Sequence, residues 1–155
     1  MPPPIPEREY LLSLLDEAYE KQAWHGPNLR GSLRGVGPRL AAWRPSAARH
    51  NIWELALHAA YWKYTVRRRL TGEKRGSFPL EGSNFFLRPQ AETEEAWRED
   101  LAVLAAQHRL LRETVQTLPP LVFTPKAVRM IRGAAMHDVY HAGQITLLKR
   151  MAPPD

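Results

Sequence analysis

Residues 91–118 read AETEEAWREDLAVLAAQHRLLRETVQTL, and their spacing decides the fold class. Trp97, Leu101, Leu104, His108, Leu111, Val115 and Leu118 recur at intervals of four and three, the a/d pattern of a helix that buries one face against other helices. Pro119 and Pro120 stop it, because proline has no amide hydrogen to donate. Charged and polar residues fill most of the remaining positions, so a single seam is to be buried.

Working outward, Pro125 opens a helix that runs to about Met151, before Pro153, with Met130, Ala134, His137, His141, Gln144 and Leu148 on one stripe. Upstream, Asn51-Ile52-Trp53-Glu54 has the form of a capping box and begins a helix that Thr71-Gly72 ends. Its apolar face is Ile52, Leu55, Ala59, Trp62 and Val66, and His58 lies on an overlapping stripe. A first helix is expected from Pro6 to about Gln22, carrying Leu11, Leu12, Leu14, Leu15 and Ala18. Gly and Pro recur in AWHGPNLRGSLRGVGPRLAAWRP (residues 23–45), which reads as loop, and EKRGSFPLEGSNFFLRPQ (residues 73–90) is a second long connection. No period-two alternation supports a strand. The expectation is an all-α four-helix bundle with a long crossover connection, one domain over residues 1–155.

Composition narrows the function. At 155 residues and 44% hydrophobic content the chain suits one domain with a real core. It has no cysteine, which removes disulfides, thiolate ligands and a catalytic thiol. The start, MPPPIPEREY, lacks the pattern of a secretory signal, and no run approaches the roughly 18 apolar residues of a membrane span, so a soluble, cytoplasmic protein is expected. The formal charge is +6, but positive residues are spread from Arg8 to Arg150. The tightest cluster, Arg67-Arg68-Arg69 with Lys74 and Arg75, closes a helix, where the dipole favours cations anyway. Nucleic acid is therefore not the expected partner.

The chemistry resides in histidines. His137 and His141, four apart on a helix, present two imidazoles on one face, and His58 offers a third from a facing helix. Imidazole is the commonest metal ligand, and three such ligands leave a coordination position open. The plain alternative requires three core histidines, each with its own hydrogen-bond partner. Asp138 stands where a zinc protease would carry glutamate, and points about 100° around the helix, toward a neighbouring helix or to orient a ligand. Glu54 reads as a capping residue rather than a support for His58, and His108 as a buried polar group rather than a fourth ligand. His50 is expected in solvent. His25, in a loop free to fold over a site, and Tyr140 and Gln144, flanking the pair, are the candidate catalytic or substrate-contacting groups.

At these residues the sequence resembles the DinB/YfiT superfamily of bundle proteins. The resemblance covers AWHGPNLRGSL after the first helix, NIWELALHAAYWK with its histidine, and HDVYHAGQITLLKR. It implies a four-helix bundle with a long crossover and a divalent ion held by His58, His137 and His141, and it admits thiol-dependent transferases that use a low-molecular-weight thiol. The reaction itself does not follow from the fold.

The expected function is a divalent-metal-dependent enzyme, a thiol-dependent transferase or a hydrolase acting on a small-molecule substrate. Zinc is the default ion, with nickel, manganese or iron as substitutes. Its open position would take water, lowering the pKa toward about 7, or a thiol. Arg67 and Arg150 are placed to receive an acidic cofactor. The alternative is a stress-related binding or scaffold protein whose metal is structural or vestigial, and a homodimer is the expected assembly.

Overall fold

The computed structural model describes residues 6–154, and the proline-rich start noted in the sequence lies outside them. The regular elements of the described residues are all helical: α1 (Pro6–Tyr19), α2 (Leu29–Ser32), α3 (Pro38–Ala42), α4 (Ile52–Thr71), α5 (Glu94–Thr117) and α6 (Pro125–Met151), with one 3-10 turn at Pro120–Val122. No helix among the described residues is long and apolar enough to cross a membrane.

Local chemistry sets the helix ends. Asn51 Oδ1 accepts from the Glu54 amide at 2.8 Å, and the Thr93 and Thr124 hydroxyls accept from the amides of Ala96 and Ala127 at 3.2 Å. Gly72 closes α4 with φ of 74°, a left-handed conformation that glycine adopts without steric cost. Two boundaries differ from the sequence expectation. α1 ends at Tyr19 rather than Gln22, because the Glu20 and Lys21 amides both turn back to the Asp16 carbonyl. α5 starts at Glu94 rather than Ala91, because Thr93 is its cap.

The stretch 23–45 is also a correction, since it holds α2 and α3 rather than plain loop. Asn28 caps α2 through the Gly31 amide at 2.8 Å. Lys149, near the end of α6, donates to the Ser32 and Arg34 carbonyls at 2.9 Å and so fastens α2 to that helix.

The four long helices form the bundle: α1 packs on α5 and α6, α4 packs on the same two, α2 leans on α6 and α3 on α4. The apolar interior has two halves. Leu29, Ile52, Trp53, Leu57, Trp97, Leu104 and Ile145 fill one, and Leu11, Leu15, Val66, Leu111, Val115 and Ile131 the other. Between them runs a buried polar belt of Lys63, His108 and Asp138.

The crossover from α4 to α5 is pinned rather than loose. The Arg88 carbonyl accepts from Asn51 Nδ2 at 2.9 Å and from Arg44 at 3.1 Å, and Arg88 Nε donates to Asp100 Oδ2 at 2.8 Å. Trp53 Nε1 donates to the same Asp100 oxygen at 2.6 Å. These bonds lay residues 84–88 against α4, near His58.

Candidate metal centre

Helix geometry puts His137 and His141 one turn apart on α6, and the packing of α4 on α6 brings His58 to them. The nitrogens that meet are all Nε2. His137 Nε2 lies 3.1 Å from His58 Nε2 and 3.0 Å from His141 Nε2. His58 and His141 are buried and His137 is half-buried, so the triad sits at the edge of the bundle rather than in its centre.

Each of the two buried rings is oriented from behind. His58 Nδ1 donates to the Asn84 carbonyl at 2.9 Å, and His141 Nδ1 donates to Gln144 Oε1 at 2.6 Å. Those bonds place the protons on Nδ1 and leave the Nε2 lone pairs turned inward, the tautomer a metal ligand needs. Phe85 stacks on His58 with ring centroids 4.0 Å apart, and Trp62 Nε1 donates to Asn84 Oδ1 at 2.9 Å, which closes the support around that ligand.

Burial keeps the imidazoles neutral. Desolvation lowers the His58 pKa to about 4 and that of His137 to about 3, in both cases with added repulsion from neighbouring histidines. His141 is lowered by burial as well, against the pull of Gln144. All three are therefore uncharged near neutrality. In a tetrahedral site with metal–nitrogen bonds of about 2.0–2.1 Å the ligand nitrogens stand about 3.3 Å apart, so His137 Nε2 would need to part from the other two by only about 0.3 Å. The three histidines thus form a group that can hold a metal ion.

The other residues singled out from the sequence take different places. Gln144 holds the back of His141 through its Oε1. Tyr140 is 63% exposed, its ring edge-on to His141 at 5.1 Å. His25 lines a small groove with Arg132, Met136 and Val139. Asp138 turns inward to α4 and is wholly buried, bonded to Lys63. His108 is buried too, accepting from Lys63 at 3.2 Å and stacking on Tyr19 at 3.8 Å. It stands outside the triad but near Asp16 and Glu20, a second grouping of metal-ligand type. That grouping already has cations: Arg112 and Lys21 bind Asp16, and Arg30 binds Glu20.

His50 is exposed, as expected, while its ring also stacks on Phe85 at 3.7 Å and bonds to Glu54 at 3.1 Å. Glu54 supplies only half a capping box: its amide is capped by Asn51, while its carboxylate accepts from Arg44 at 2.9 and 3.1 Å and from the Arg88 amide at 3.1 Å. Arg67, a candidate for an acidic cofactor, is paired with Glu73 at 2.7 Å.

Asn84 and Phe85 are the site residues that the sequence reading missed. The available signal was an asparagine inside a long aromatic connection: Asn84 has φ of 65°, a left-handed backbone that asparagine tolerates better than most residues.

No curated protein and no solved structure matches the chain. The family model of the DinB superfamily matches residues 22–145, a range that includes all three histidines, and the chain belongs to that superfamily.

Proposed function

We propose that this DinB-superfamily protein is a divalent-metal-dependent enzyme, a thiol-dependent transferase or a hydrolase acting on a small molecule. His58, His137 and His141 would hold the ion. The observation that supports this most is the convergence of three Nε2 atoms, two of them with tautomers set by Asn84 and Gln144. Structural sites of this kind close around four protein ligands, whereas three leave a position for a reactant.

A divalent ion bound there supplies Lewis acidity, favouring the deprotonated form of a water or thiol in its open position. The chain's own residues do the rest. Asn84 and Gln144 fix ring orientation, Phe85 and Trp62 wall the side toward the crossover, and the exposed Tyr140, its ring edge-on to His141, would contact a substrate there. Zinc suits an all-nitrogen set, with nickel, manganese and iron as alternatives.

Cobalt substitution tests the reading. Cobalt(II) in the triad should give visible d–d bands that shift, with a new sulfur-to-metal charge-transfer band, when a small thiol such as 2-mercaptoethanol is added. Bands insensitive to thiol and to competing anions would mean a closed, structural site and would contradict the proposal.

A further inference from the structure

α1 stops before it has covered the whole of α5, and the shortfall leaves a groove. Asp16 of α1 accepts from Arg112 of α5 at 2.6 Å, and Tyr19, the last residue of α1, stacks on His108. α1 therefore covers the C-terminal half of α5, while the apolar seam of α5 continues back through Leu104 and Leu101 toward Trp97. α2 does not take over the cover, because it leans on α6. What results is an open groove of about 1140 Å³, floored by Leu101, Ala102, Leu104 and Ala105 and walled by α2 and the loop before it. Ligand pockets occupy about 300–1,000 Å³, so the groove has room for a small molecule. α1 and α4 each pack on both α5 and α6, so this side of the bundle lies opposite the α4–α6 seam that carries the triad.

Its charge is uneven. The charged residues that line it are Glu20, Arg30, Arg34 and Arg98. Glu20 and Arg30 pair with each other at 3.0 Å. The guanidinium groups of Arg34 and Arg98, both exposed, have no hydrogen-bond or ion-pair partner among the described residues. These two stand at the same end, because Trp97 Nε1 donates to the Val36 carbonyl at 2.7 Å and pins their neighbours together. Lys149 adds a cation there, bonded to the Ser32 and Arg34 carbonyls rather than to an acid. At the other end, Trp24 lies in the loop between the lining residues Ala23 and Gly26, and it is 100% exposed. A bare indole contributes nothing to the fold, but it would be buried against a flat ring lying in the groove mouth.

We propose that the groove is a second ligand site, for a small organic anion built on a flat ring. Its oxyanion, a phosphate or a carboxylate, would be held by the planar forks of Arg34 and Arg98, a geometry suited to either group. Its ring would lie on Ala102 and Ala105 under Trp24. The paired Glu20 and Arg30 leave the loop end neutral, so only one orientation matches the charge.

The site is independent of metal binding, and calorimetry on the full-length protein tests it, with 1-naphthyl phosphate and 1-naphthoate as probes. At least one should bind at one site per chain, tighter than about 1 mM, and weaken as sodium chloride is raised; the tighter of the two names the acid. Arg34→Ala and Arg98→Ala, which remove no bond from the fold, should keep the wild-type helical spectrum and each weaken binding about tenfold or more. Trp24→Ala should weaken it about fivefold, and His58→Ala should leave it at the wild-type value. Neutral 1-naphthol and inorganic phosphate, each lacking half of the pattern, should bind at least about tenfold more weakly. No binding of either probe, binding unchanged in both arginine variants, 1-naphthol binding as tightly as the acids, or loss of binding in His58→Ala, which would place the probe at the triad, would each overturn the proposal.

Discussion

Lys63 of α4 donates its ammonium group to the Asp138 carboxylate of α6, and both side chains are only 1% exposed. The pair joins the two helices that carry the triad, one residue from His137. Burial raises the Asp138 pKa to about 6 against the opposing pull of Lys63, so the carboxylate is still ionised at neutral pH. Removing one partner strands the other charge in an apolar interior, whereas removing both removes the desolvation cost as well. Lys63→Met should therefore destabilise the protein by about 3–5 kcal/mol in urea unfolding, and Lys63→Met with Asp138→Leu should recover most of that. Equal losses in the single and double variants would refute this view of the pair.

Glu54 ties the crossover to α4. Burial pushes its pKa up, but hydrogen bonds from Arg44, the Arg88 amide and His50 outweigh this and hold it below the ordinary carboxylate value. Glu54→Ala should cost about 1.5–3 kcal/mol, the range for hydrogen bonds to charged groups. Because residues 84–88 would loosen with it, calorimetry should also show weaker zinc binding, although Glu54 touches none of the three histidines.

Gln144 accepts from His141 Nδ1 at 2.6 Å. Gln144→Ala should leave the helical spectrum unchanged and lower zinc affinity by about 10–100-fold, the usual effect of removing a ligand's hydrogen-bond partner. Tyr140→Phe, which removes only an exposed hydroxyl, should leave affinity at the wild-type value.

His108 gives the protein an acid-sensitive core. Burial, with Lys63 beside it, lowers its pKa to about 3, while an unfolded histidine titrates near 6.5. As pH falls below about 6.5 the unfolded state binds the proton and the folded state does not, so stability is lost down to the folded pKa. By pH 5 the loss from this one group reaches about 2 kcal/mol. His108→Gln, whose amide oxygen can still accept from Lys63, should show a flatter melting temperature between pH 7 and pH 5 than wild type. An identical slope would contradict the assignment.

The bundle was legible because Trp97 to Leu118 and the apolar faces of the other helices follow helical periods without interruption. α2 and α3 were not, since one and a bit turns between glycines and prolines carry no period. On α6 the buried stripe runs through Ile131, Ala134, Asp138, His141, Ala142 and Ile145, rotated from the expected one because the Lys63–Asp138 pair draws that face inward. A buried ion pair carries no apolar signal in either sequence segment. The three histidines were visible by spacing, but Asn84 and Phe85 reach His58 from a connection whose path is set by Arg44, Arg88 and Asp100 far along the chain. No local pattern encodes that path.

The most direct test of the central claim is metal content by elemental analysis of protein purified without an affinity tag or chelator, beside His58→Ala and His137→Ala. The account predicts about one divalent ion per chain in wild type, following from one three-nitrogen donor set, and its loss in both variants. Wild type without an ion, or variants that keep theirs, would contradict it.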